Sequence, residues 1–83
     1  MSQYDPLNRF LSAYPGRRVT LTFDAVERIL GRSLPASART YQAWWANEKA
    51  DTTRHVHSRA WVTAGWEAHP RLTSSTVNFE KVA

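Results

Sequence analysis

Val19-Thr20-Leu21-Thr22-Phe23-Asp24-Ala25-Val26-Glu27-Arg28-Ile29-Leu30-Gly31 changes its hydrophobic period partway along. Val19, Leu21 and Phe23 alternate with threonines, which predicts a short strand with those three side chains inward. Beyond it, Ala25, Val26, Ile29 and Leu30 fall on one stripe at helical spacing. Thr22 or Asp24 is placed to cap that helix, and Gly31 to end it.

Upstream, Asp5-Pro6 reads as an N-cap followed by a proline suited to the first helical position. Leu7, Phe10, Leu11 and Tyr14 give the buried face of this first helix, and Pro15-Gly16 stops it before Arg17-Arg18. Downstream, Arg32 to Pro35 is a turn, and the pattern predicts a third helix from Ala36 to about Asn47. Its apolar face would use Ala38, Tyr41 and either Trp44 or Trp45. Adjacent residues on a helix stand about 100° apart, so one tryptophan enters the core and the other lies at its edge.

Residues 48–53 are polar and patternless, a loop. Arg54 to Arg59 leads into a fourth helix carrying Trp61, Val62 and Ala64, with Gly65 closing it and Trp66 either its last apolar residue or the start of the tail. The tail reads as a hairpin. Thr76 to Val82 alternates with Val77 and Phe79 on one face, Thr73 to Ser75 turns, and residues 67–72 form the partner strand with Pro70 near an edge.

The chain is thus expected to be one α+β domain over 1–83, winged helix-turn-helix-like. It would have three to four helices, a short N-terminal strand and a C-terminal β-hairpin. Relative to the simple winged layout one helix is inserted, so the reader helix is either the one starting near Ala36 or the one starting near His57.

The 83 residues are 42% hydrophobic and 22% charged, an ordinary globular balance that excludes a coiled-coil rod or a collagenous repeat. No apolar run spans a bilayer, and the N-terminal residues lack the basic and apolar regions of a signal peptide. With no cysteine, disulfides and cysteine zinc sites are excluded and a cytoplasmic setting follows. Ten aromatics, four of them tryptophan, read first as core bulk in so short a chain. The net charge of +4 is a modest basic bias, but nine of the eleven basic residues are arginine. Arginine presents a planar fork suited to phosphate and guanine edges. A GC-rich genome would produce the same preference.

Three histidines, His55, His57 and His69, do not amount to a metal site without further ligands. Ser37 and Ser58 sit at helix starts outside any nucleophile elbow, so capping explains them. The seven acidic residues are scattered, and the three glycines all fall at predicted helix ends rather than in a phosphate loop. No enzyme, metal or cofactor is therefore expected. The arginines around the two candidate reader helices are the informative feature. Arg39, Arg54 and Arg59 are expected to contact phosphates, with Ser37, Gln42, His57 and Ser58 nearest the bases. The spare tryptophan could stack on an unpaired base.

The residues also resemble a family of small bacterial and phage domains of unknown function. The shared pattern comprises Tyr4 to Leu7, Leu21 to Phe23, Ile29 to Gly31, Leu34 to Arg39, Trp44 to Asn47, Ala60 to Trp66 and Thr76 to Phe79. The resemblance covers nearly the whole chain. It implies no assigned activity, but such domains also occur attached to larger proteins linked to DNA restriction, which points toward DNA. Family members often carry a basic residue where this chain has Gln42.

The expectation is a non-enzymatic DNA-binding domain, regulatory or linked to phage and defence. The rival is a protein-binding module, such as a phage-encoded inhibitor of a host defence complex, in which an exposed tryptophan among arginines is the hot spot. A homodimer through the hairpin's edge strand would suit palindromic DNA.

Overall fold

The computed structural model describes residues 2–48 and 57–82. The order is α1 (Asp5–Ala13), β1 (Arg18–Thr22), α2 (Phe23–Leu30), α3 (Ala36–Thr40), a 3₁₀ turn (Gln42–Trp45), α4 (Arg59–Val62), β2 (Trp66–Arg71), a second 3₁₀ turn (Leu72–Ser74) and β3 (Thr76–Lys81). The three strands form one antiparallel sheet in the order β1-β3-β2. This α+β arrangement of four helices and a three-stranded sheet is compatible with a small winged-helix-like fold.

Register follows from alternation. Val19, Phe79 and Ala68 lie side by side across the sheet, as do Leu21, Val77 and Pro70, and these rows face the helices. Alternating with them are the polar rows Thr20, Asn78 and His69, and Thr22, Thr76 and Arg71, on the opposite face. His69 lies within ion-pair reach of both Glu67 and Glu80, at 3.5 and 3.4 Å.

Several boundaries differ from the sequence reading. Tyr4, not Asp5, is the N-cap of α1; Asp5 begins the helix, and its carboxylate accepts the backbone N–H of Ser2. Phe23 belongs to α2 rather than the strand, because Thr22 Oγ1 accepts the N–H of Ala25 and starts the helix there. Gly31 ends α2 at φ 74°, as the C-terminal glycine pattern requires. Gly16 does not have positive φ; its need for glycine is steric, since a Cβ there would stand 2.8 Å from the Tyr14 ring. Gly65, at φ 84°, separates α4 from β2 as expected, and of the two places open to Trp66 the structure takes the start of the strand.

The largest departure is the third helix. It stops at Thr40, and Tyr41 is extended at φ −118° and ψ 121°. A continuous helix would give the Ala38 carbonyl to the N–H of Gln42. Here the indole N–H of Trp45 takes that carbonyl, at 2.9 Å. This bond folds the chain back into a 3₁₀ turn and drives Trp45 into the core, where it is 1% exposed. Tyr41, expected on the apolar face, is instead 64% exposed.

The core is an aromatic column. Phe23 stacks on Trp45 at 5.3 Å, Trp45 on Trp61 at 5.6 Å, and Trp61 tilts against Phe79 at 5.9 Å. Such pairs each add about 0.5–1.5 kcal/mol beyond area burial. The buried Trp61 indole N–H has no acceptor among the described residues. Asn8 ties α1 to α4 by donating to the Ala60 carbonyl and the Thr63 hydroxyl.

Candidate nucleic-acid interface

The turn from α2 to α3 is organised by one residue, Glu27. Its backbone carbonyl accepts the N–H groups of Gly31 and Arg32. Its carboxylate accepts the N–H of Leu34 at 2.7 Å and pairs with Arg39 at 3.2 Å. Arg39 also donates to Asp24 at 3.1 Å and lies over the Phe23 ring. The hydrogen bond to Asp24, then that to Glu27, holds the Arg39 guanidinium above its ordinary range. Arg39 therefore fixes α3 against α2, and a phosphate reaching it would have to displace two carboxylates. Leu34 and Ala38 are buried beneath this clamp, which turns residues 39–43 outward as five consecutive exposed positions.

The predicted site residues do not all converge. Ser37 and His57 line one shallow cleft together with Tyr41, Ala43 and Trp44. The His57 ring stacks on Trp44 at 4.1 Å and 5°, and His57 Nε2 lies 2.8 Å from the Trp44 carbonyl. Trp44 is only half-buried, yet His57 covers one of its faces, so it is not the bare stacking platform that the sequence suggested. Gln42 opens on the other side of Ala43, toward Asn47, Ala68 and His69. Arg59 is exposed on the α1 side with Tyr4, Asp5 and Asn8; Tyr4 stands between it and the His57 cleft.

Ser58 is a correction. It is 1% exposed at the start of α4, where its carbonyl accepts the N–H groups of Trp61 and Val62, so it is not presented to a base. Arg54 lies outside the described residues, as does His55. The helix near His57 is a single turn with Ala60 and Trp61 buried, which leaves α3 and its 3₁₀ turn as the better presented of the two candidate readers. Among the described residues no three His, Cys, Asp or Glu side chains group as a metal site.

Sequence reasoning missed Glu27 and Asn47. Glu27 falls on the polar side of α2 with no local pattern to mark it. The periodicity puts Asn47 at the end of a helix, whereas its amide donates to the Ala68 carbonyl at 3.0 Å and accepts the Ala68 N–H at 2.7 Å. The signal for both lies across space, not along the chain.

These features define a small α+β domain with an exposed helix-to-turn edge and a short strand-connecting tip. Residues 4–82 match the family model described as Domain of unknown function (DUF7662), and the chain belongs to that family. No curated protein and no solved structure matches it. No helix is long and apolar enough to cross a membrane among the described residues.

Proposed function

We propose that this domain binds DNA without catalysis, using α3 and the following 3₁₀ turn as its contacting edge. The observation that carries the reading is the outward run of Arg39, Thr40, Tyr41, Gln42 and Ala43, held by the Glu27 clamp beside the cleft of Ser37 and His57. Ser37 and Gln42 are the base-facing groups. Arg59 supplies a flanking phosphate contact, and the tip between β2 and β3, with Arg71 exposed beside it, is a second approach to the backbone. The net charge of +4 supports modest, salt-dependent affinity. A cytoplasmic protein of a bacterium or its phage, regulatory or defence-related, fits this activity.

A second reading rests on Tyr41. A 64% exposed tyrosine next to a half-buried tryptophan has the composition of a protein-binding hot spot. It would suit an inhibitor that docks on a defence complex.

Fluorescence anisotropy of labelled duplex and single-stranded DNA at about 50 and 200 mM salt separates the readings. Binding that weakens steeply with salt and is lost in Tyr41→Ala with Gln42→Ala supports the DNA edge. Absence of binding at low salt overturns it and leaves the Tyr41 surface as a protein interface, which is far less salt-sensitive.

A further inference from the structure

We propose that the outer edge of β1 is a docking strand for a second copy of this chain, giving a twofold dimer with a continuous six-stranded sheet. The sheet has two edges, and they are treated differently. The β2 edge is closed: Asn47 satisfies both the N–H and the carbonyl of Ala68 as a neighbouring strand would, and Pro70 has no N–H to offer. A dimer through the hairpin's own outer strand is therefore blocked.

The β1 edge is only lightly protected: its single charge, Arg18, stands at the first residue of the strand and pairs with Glu80 of β3. Arg17 O accepts from Lys81 N and Phe23 N donates to Ser75 O, so the odd-numbered residues of this segment bond toward β3. In an antiparallel ladder the alternate residues then point their backbone groups away, which here means Arg18, Thr20 and Thr22. The strand Arg-Val-Thr-Leu-Thr has no proline, no lysine and no inward charge, the devices by which edges are normally blunted. It is also the least buried strand, with Val19 and Leu21 only half-covered where Val77 and Phe79 of β3 are fully buried.

The strand is its own complement. Antiparallel pairing about Thr20 sets Thr20 against Thr20, Val19 against Leu21 and Arg18 against Thr22, as an isologous contact requires. Apolar side chains meet apolar ones, and no like charges face each other. The same register carries Arg17 to the end of the partner's strand, where the Asp24 carboxylate, 73% exposed even as it accepts from Arg39, opens α2. That opposition of charge favours a second copy over an unrelated strand.

The inference does not depend on DNA binding, because its readout is the oligomeric state. Sedimentation velocity over a concentration series should show a reversible dimer for the wild type. Thr20→Pro removes an outward N–H that the β1–β3 ladder does not use, and Thr20→Lys sets two positive charges face to face at the dyad. Both should sediment as monomers with the wild-type circular dichroism spectrum. Hydrogen exchange on the wild type answers independently of any variant: the Thr20 amide should slow as concentration rises. A wild type that stays monomeric throughout, a dimer that both variants keep, or a Thr20 amide that exchanges freely in the dimer would overturn the proposal.

Discussion

Glu27 grips Arg39 across the turn between the second and third helices, at 3.2 Å, with the same carboxylate oxygen that receives the Leu34 N–H. The two bonds differ in weight. The ion pair sits at the surface, its Arg39 and Glu27 side chains 39% and 23% exposed, and such solvent-reached pairs contribute little. The backbone N–H is part-buried, and stranding such a donor costs about 1–3 kcal/mol. Glu27→Ala should therefore lower stability by that amount in urea titration, while Glu27→Gln, which still accepts from Leu34, should recover most of it. Equal losses in the two variants would show that the charge, not the backbone bond, is what matters.

The two adjacent tryptophans should separate cleanly. Trp45 fills the core and holds the chain break at Tyr41 through its indole N–H. Trp45→Ala should cost about 3–5 kcal/mol, as large aromatic deletions do. Trp44→Ala, at a half-buried site, should cost clearly less and should disturb the His57 ring in NMR spectra. A reversed order would mean that the cleft, rather than the column, carries the stability.

Gly31→Ala isolates backbone strain from crowding. Nothing stands within 4 Å of the added methyl, yet φ is +74°. The expected loss is about 1 kcal/mol, read as a lowered Tm. No change would place the helix end in a conformation that any residue adopts.

Arg59→Ala and Gln42→Arg probe the proposed DNA edge from opposite directions. One phosphate contact is worth about one unit of the salt slope. The first variant should flatten the slope by about that much and the second should steepen it. A Gln42→Arg protein that binds like the wild type would take the 3₁₀ turn out of the footprint.

Much of this architecture was readable along the chain. The switch from alternation to helical spacing at Thr22, the stop at Gly31 and the closing Thr76 to Lys81 strand are local signals, and the structure has each within a residue or so. What failed was not local. The break in the third helix depends on an indole seven residues away claiming a carbonyl, which periodicity cannot register. For the same reason Tyr41 was assigned to the core face and turned out exposed. The candidate site was less legible than the fold. Ser37 and His57 do share a cleft, but Ser58 is buried and Arg39 is engaged by carboxylates on the preceding helix. Residue type at a helix start announces polar chemistry; which groups remain presented is decided by neighbours brought from elsewhere.

The sheet places its middle strand last in chain order, after both of the strands it joins. During synthesis, β1 leaves the ribosome first and has no ladder partner until residues near Lys81 emerge. The strand must wait through some fifty-odd residues of elongation, about 3–11 seconds at roughly 5–20 residues per second. Helical turns can form early and locally, but the sheet, and the side of the aromatic column that rests on Phe79, closes only once β3 has emerged. A nascent chain arrested just before Thr76 would thus present β1 and β2 as two unpaired strands, a form for chaperones to hold rather than a half-built domain.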